Sequence, residues 1–120
     1  MKRTIEANAV NAVMEAYIDG TKTRNTLKLK AIFHKQAVMS GYMDDDLLMG
    51  SPNVFFEALE MHEIAPNYMA RVVHVDVTGD AARARVVEDN LMGKSFVNDF
   101  HLLNGEEGWQ IVSKLFHHDD

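Results

Sequence analysis

Asp99 and His101 are titratable side chains separated by one residue in a segment with the composition of a β-strand. Side chains alternate between the two faces of a strand, so these two should point the same way and lie within contact distance. An imidazole oriented by a carboxylate can act as a general base. We therefore treat both as candidate catalytic residues, with a satisfied structural pair as the competing interpretation.

Glu88 is a third candidate, at the end of the preceding strand. In Ala81–Leu91, small apolar residues alternate with arginines, which predicts a strand with one buried face. Glu88 continues that buried face unless a bulge intervenes. It is therefore a candidate ligand-binding residue, and a carboxylate that reaches solvent at the strand end is the alternative.

A tight turn at Met92-Gly93 would set the register of the next strand. It places Ala84 opposite His101 and, further along, Val86 opposite Asp99. Both polar side chains then belong to the buried face. A turn of odd length would reverse the assignment, because one residue of slip moves every side chain to the other face.

The following turn, at residues 104–108, extends the two faces into the last strand. The predicted inner face collects Val97, Asp99, His101, Leu103, Trp109, Ile111, Ser113 and Leu115. Trp109 and Ser113 thereby become candidate ligand-binding residues. The other face carries Asn98, Phe100, Leu102, Val112, Lys114 and Phe116. Because that face is too apolar to stand in water, we predict a homodimer formed through it.

The elements that must position these residues follow in the order helices first, strands last. Helical spacing is found in Ile5–Asp19, in Asn25–Phe33 and in a segment that begins at Ser51-Pro52. Strand candidates are Gln36–Ser40 and Arg71–Thr78, with Gly41–Asp46 as a loop and Gly20 as the end of the first helix. This order predicts an α+β fold, with three N-terminal helices packed on a curved antiparallel sheet that forms a cone with an internal pocket. Tyr17, on the apolar stripe of the first helix, is either a pocket donor or a core tyrosine.

Composition excludes several classes of function. The chain has 120 residues, which fits a single domain over 1–120, and its formal net charge is -6. That charge opposes binding to nucleic acid or to anionic membranes, and no apolar run approaches the roughly 20 residues of a membrane span. No cysteine, metal-ligand spacing or phosphate-binding loop is found, so we expect no metal and no cofactor. The N-terminal stretch lacks an uninterrupted apolar run, and we expect a cytoplasmic protein.

Four segments carry a resemblance to a known family. They are Tyr17-Ile-Asp-Gly20, Ala31-Ile-Phe-His34, Asp99-Phe-His-Leu-Leu-Asn-Gly105 and Gly108-Trp-Gln-Ile-Val-Ser-Lys-Leu-Phe116. In this order and spacing the chain resembles the nuclear transport factor 2-like (cystatin-like) superfamily, and within it the small bacterial lumazine-binding-like or SnoaL-like proteins. The resemblance implies an apolar pocket inside the cone and commonly a dimer through the open sheet face.

The same superfamily contains ketosteroid isomerases and polyketide cyclases. The resemblance implies that Tyr17 matches the isomerase oxyanion-hole tyrosine and that Asp99 matches its protonated aspartic acid, a carboxyl group kept neutral by its apolar site. The position of the isomerase general base is occupied by Gly41. Proton abstraction would therefore need a replacement base, for which His101 and Glu88 are the candidates.

Two functions follow. The first is a binding protein for a small apolar or aromatic ligand, such as a flavin-like ring, held in the cone. The alternative is an isomerase-like or SnoaL-like enzyme that transfers a proton on a small carbonyl compound. The missing base at Gly41 favours the first.

Overall fold

The computed structural model describes residues 2–119, with side chains from residue 4 onward. Three helices and six strands follow one another along the chain. They are α1 (Lys2–Lys22), α2 (Thr26–Ile32), β1 (Phe33–Met43), β2 (Asp46–Gly50), α3 (Asn53–Met61), β3 (Met69–Thr78), β4 (Ala81–Leu91), β5 (Lys94–Gly105) and β6 (Gly108–Asp119). The predicted α+β class, with three helices packed on a sheet, is confirmed.

The six strands form one sheet in the order β2-β1-β6-β5-β4-β3. Four of its five strand pairs are antiparallel, but β1 runs parallel to β6. The prediction of a purely antiparallel sheet is therefore wrong at this pair. The predicted loop at Gly41–Asp46 is instead the end of β1 and a tight turn into β2, with Asp44 in the left-handed region at φ 56.

The helix ends depart from prediction by a few residues. Gly20 lies inside α1 instead of ending it, and a Cβ there would lie 2.8 Å from Leu29 Cγ. Glycine at this position thus lets α2 pack closely against α1. The Asn25 side chain caps α2 by accepting the Lys28 N–H at 3.1 Å, as expected of an asparagine at this position.

A bulge in β4 reverses the predicted register with β5. The turn forms where expected, since Leu91 pairs with Lys94. Asn90, however, adopts the left-handed conformation at φ 62, and the register shifts between Glu88 and Leu91. Asparagine tolerates this conformation better than most residues, and an extra residue on one strand is what defines a bulge.

The bulge decides which side chains of β5 are buried. Val86 pairs with Asn98 instead of Asp99, and Ala84 with Phe100 instead of His101. Asn98 and Phe100 are both fully buried. The prediction that Asp99 and His101 point into the core is therefore wrong.

A second irregularity lies between β5 and β6. Leu102 pairs with Ile111, but His101 pairs with Ser113, so Val112 is the extra residue. The buried face of β5 and β6 consists of Phe96, Asn98, Phe100, Leu102, Ile111, Lys114 and Phe116. Most of the surface predicted to form the dimer is thus the core of the protomer.

The outer face of the sheet carries the remaining side chains. Leu115, Leu103 and Val73 are 51%, 50% and 40% exposed, so this face is partly apolar. Within residues 2–119, no helix is both long enough and apolar enough to cross a bilayer.

Candidate functional site

Glu88 is the centre of a buried polar cluster. Its side chain is on the inner face of β4 and only 2% exposed, so its predicted inward direction is confirmed. Oε1 accepts hydrogen bonds from the Tyr17 hydroxyl at 3.1 Å and from Asn98 Nδ2 at 2.6 Å. Oε2 accepts one from the Tyr68 hydroxyl at 2.6 Å. Three donors from separate parts of the chain thus offset the cost of burying the carboxylate.

The two phenols of this cluster are held in their neutral form. Burial raises the pKa of Tyr17 well above 10.0, and the negative charge of Glu88 adds to the rise. Burial and Glu88 raise the pKa of Tyr68 in the same way. Both hydroxyls therefore remain hydrogen-bond donors to Glu88 at any physiological pH. Tyr17 is fully buried and lies edge-on to Phe100, with ring centroids 4.9 Å apart.

Lys114, which the predicted register placed on the face opposite the pocket, is buried beside this cluster. It is 4% exposed. Its Nζ lies 3.9 Å from the centroid of the Phe55 ring and 5.5 Å from that of Tyr17. An ammonium over aromatic faces gains cation–π energy. This energy replaces only part of the hydration energy that the group loses on burial. Burial accordingly lowers the pKa of Lys114 from 10.5 to about 8, and attraction to Glu88 opposes the fall.

An apolar cavity of about 210 Å³ opens at Lys114. Its wall is formed by α3, β1, β2, the end of β4, the start of β5 with the turn between them, and the inner face of β6. The lining residues are Met39, Met43, Leu48, Val54, Phe55, Ala58, Leu91, Met92, Lys94, Phe96, Lys114 and Phe116. The two amines are its ionisable groups. Lys94 is ion-paired to Asp44 Oδ1 at 3.3 Å, whereas Lys114 lies at the inner wall.

Glu88 and Tyr17 do not line this cavity, since they lie behind Lys114 and Phe55. The structure thus brings two of the predicted site residues together, but in a buried cluster outside the cavity lining. Lys114 could have been noticed in the sequence as the one cation among the apolar residues that share its face.

The other predicted site residues lie elsewhere. Asp99 forms a two-point ion pair with Arg85 on the outer face, at 2.8 and 3.1 Å. His101 is exposed and pairs in register with Ser113. Trp109, at the far hairpin, donates from Nε1 to Glu6 Oε2 at 2.7 Å. None of these residues reaches the inner cavity.

Gly41 occupies a position that has no room for a side chain. A Cβ built there would lie 2.4 Å from the Phe116 carbonyl oxygen and 2.8 Å from its ring. An isomerase-type carboxylate at this position would require the backbones of β1 and β6 to separate. The close packing of Gly41 against Phe116 therefore excludes a general base at this position.

A larger groove, of about 910 Å³, runs along the surface between α2, the start of α3 and the β5–β6 turn. Its charged side chains include those of Lys30, Lys35, Glu106 and Glu107, all of them exposed. No buried polar group faces it among the residues that line it, so we assign the site to the smaller inner cavity. In the part of the chain that the structure describes, no three histidine or acidic side chains are grouped so that they could hold a metal ion.

The fold and the cavity can be compared with known proteins. A family model described as "Putative lumazine-binding" matches residues 5–117. Among curated proteins, the chain is similar to the aldolase FrzH of Cladobotryum sp., at 26% identity over 113 residues that cover 93% of this chain and 90% of that protein.

Two solved structures share the whole fold. An NTF2-like protein of unknown function from Shewanella baltica OS155 is 28% identical, covers 98% of this chain and 96% of its own, and has a TM-score of 0.89. An NTF-2 like protein of unknown function from Silicibacter pomeroyi DSS-3 is 26% identical, covers 99% of this chain and 100% of its own, and has a TM-score of 0.90. These likenesses confirm the predicted nuclear transport factor 2-like fold.

Proposed function

The chain belongs to the lumazine-binding-like family, and from this premise we propose that it binds a small, mostly apolar or aromatic molecule in the inner cavity. The observation that carries the proposal is the cavity itself: an apolar wall with the buried Lys114 amine at its inner end. Binding sites for small molecules are typically of this kind, apolar with a few placed polar groups.

The size and lining of the cavity limit the ligand. Its volume of about 210 Å³ is below the roughly 300–1,000 Å³ typical of sites for drug-sized molecules. A single ring with a short substituent fits such a volume. The Lys114 amine favours a ligand with one oxygen that can accept a hydrogen bond, such as a carbonyl group, because an ammonium only donates.

Methionine methyl groups offer a direct test. Met39, Met43 and Met92 line the cavity, whereas Met61 and Met69 are 77% and 69% exposed. In carbon–proton NMR spectra of the 13C-methyl-labelled protein, titration with acetophenone should shift the three cavity methyls and saturate. The signals of the two exposed methionines should stay in place. Absence of saturable shifts, or equal shifts of all methionines, would refute binding in this cavity.

A second function, proton transfer next to a carbonyl group, is favoured by the lowered pKa of Lys114. An amine whose pKa is about 8 is neutral in roughly one molecule in ten at pH 7, enough for general-base catalysis. This base would replace the one that Gly41 lacks, and the likeness to an aldolase supports chemistry next to a carbonyl. The measurement is exchange of the acetophenone methyl protons for deuterium, which should be faster with the wild-type chain than with Lys114→Met.

We also propose a homodimer, formed through the outer face of the sheet. The supporting observation is the row of half-exposed apolar residues there, among them Leu103 and Leu115.

The expected cytoplasmic location stays a prediction.

A further inference from the structure

We propose that the Lys114 amine forms a reversible imine with the carbonyl group of an aldehyde or ketone in the inner cavity, so that the ligand is held covalently. The inference rests on the proposed binding function and deepens it by naming the ligand class. It assigns to Lys114 a nucleophilic role beyond hydrogen bonding or proton transfer.

The surroundings of the Lys114 Nζ leave its lone pair available. Among the described residues 2–119, no acceptor within hydrogen-bond distance of this nitrogen is found, and its neighbours are the rings of Phe55, Tyr17 and Phe116. Aromatic faces stabilise the ammonium less than a carboxylate contact would. Burial moves the pKa of this group toward neutrality, which is how proteins make a lysine nucleophilic.

Lys94 shares the cavity wall and provides a comparison within the same molecule. Its side chain is 27% exposed, and its Nζ lies 3.3 Å from Asp44 Oδ1. The Lys94 amine is thus held against a carboxylate oxygen, whereas the Lys114 amine lies against aromatic rings at the cavity. The geometry therefore predicts that one of the two cavity lysines reacts with a carbonyl compound and that the other does not.

The chemistry is balanced without any further reactant. The lone pair of the neutral Lys114 Nζ attacks the carbonyl carbon, a C–N bond forms, and the carbonyl π electrons move to oxygen. Proton transfer from nitrogen to that oxygen gives a carbinolamine. Its hydroxyl then takes from solvent a proton equivalent to the one that the Lys114 ammonium released, and leaves as water, while nitrogen completes the C=N bond. The protonated imine carries one positive charge, as the ammonium did, so the attraction to Glu88 is retained.

The experiment traps the imine by reduction. The full chain is incubated near pH 7 with benzaldehyde and sodium cyanoborohydride, which delivers a hydride to the C=N carbon and makes the adduct permanent. Intact mass and peptide mapping then locate the label. We expect one benzyl group in place of one hydrogen, on Lys114, formed at least about ten times faster than on any other lysine.

Two variants serve as controls. Lys22→Arg, at an exposed position outside the cavity lining, should label at Lys114 as the wild type does, whereas Lys114→Met should lose the fast label. If Lys114→Met does not fold, as judged by circular dichroism, the labelling rates of Lys114 and Lys94 in the wild-type chain are compared to test imine formation at Lys114. Label spread evenly over the exposed lysines would overturn the imine.

Benzyl alcohol separates this inference from the function on which it rests, because it fits the same cavity and cannot form an imine. If it shifts the cavity methionine methyls and Lys114 is labelled selectively by the aldehyde, both proposals are supported. If it shifts them and Lys114 is not labelled selectively, the imine fails and the binding function stands. If it does not bind and no selective label appears, the binding function fails as well.

Discussion

Asn98 donates a hydrogen bond of 2.6 Å to Glu88 Oε1, across the pair of strands β4 and β5. The bond exists because Asn90 bulges from β4 and brings Asn98, instead of Asp99, to the inner face. A neutral amide that donates is a better neighbour for a buried carboxylate than a second carboxylate, since two like charges side by side would repel each other. The bulge thus places a neutral hydrogen-bond donor, and not a second negative charge, next to Glu88.

Removing one donor from Glu88 should be measurably destabilising. Tyr68→Phe deletes the 2.6 Å bond to Oε2 and leaves that oxygen without its buried partner. We expect a loss of about 1–3 kcal/mol in the free energy of unfolding, measured by urea denaturation. Tyr42→Phe is the matched control, because Tyr42 is 60% exposed, and its change should stay within about 0.5 kcal/mol. Equal effects of the two substitutions would contradict the role of the cluster.

Stability should rise with pH because of Lys114. Its pKa is about 8 when folded and close to 10.5 when unfolded. Below about pH 8 both states are protonated and the folded state carries the full cost of the buried charge. Between the two pKa values the unfolded chain binds the proton that the folded chain has released, so the free energy of unfolding increases.

The matched variant for this effect is Lys114→Met, which has a similar shape and no charge. From about pH 7 to about pH 9.5, the wild type should gain about 2 kcal/mol relative to the variant. Above about pH 10 both proteins should lose stability, because the raised pKa values of Tyr17 and Tyr68 make the unfolded chain the first to lose phenolic protons. A difference between wild type and variant that does not change with pH would show that Lys114 has an ordinary pKa.

The bulge at Asn90 should depend on its left-handed backbone. Asn90→Val places a β-branched residue at φ 62 and should cost about 1–2 kcal/mol more than Asn90→Gly. Glycine adopts this conformation freely. Both variants lose the side-chain hydrogen bond to the Asn67 carbonyl, so the difference between them isolates the free energy of backbone strain. Paired chemical denaturation measures it, and equal losses would argue against strain at this residue.

The oligomeric state should respond to the outer face of the sheet. Leu115→Glu introduces a negative charge on the outer face, at a position that is 51% exposed. Leu115 pairs in register with Asp99 on the neighbouring strand. If the dimer forms there, the variant should sediment as a folded monomer at micromolar concentration while the wild type sediments as a dimer. Leu27→Glu, at an 80% exposed position on α2, should leave the dimer intact. A wild type that is already monomeric would end the proposal.

The sequence by itself determined the fold class and the order of the elements other than β2, and it indicated the inward direction of Glu88 beside a solvent-facing alternative. These follow from local periodicity, which depends on neighbouring residues: helical stripes in three segments before Pro66 and stretches of apolar–polar alternation after it. The β4–β5 turn was also predictable, because Gly93 suits a two-residue connection in which both residues have positive φ.

Only the tertiary structure decided which face of β5 and β6 is buried. Both faces of these strands carry apolar residues to a similar extent, so the pattern does not tell which face is buried. Which face is buried depended on two extra residues, Asn90 and Val112, that no periodicity reveals. Each moves every later side chain to the opposite face. For that reason Asp99 and His101 lie outside, and Lys114 lies at the cavity, where the burial that lowers its pKa depends on rings contributed by distant parts of the chain.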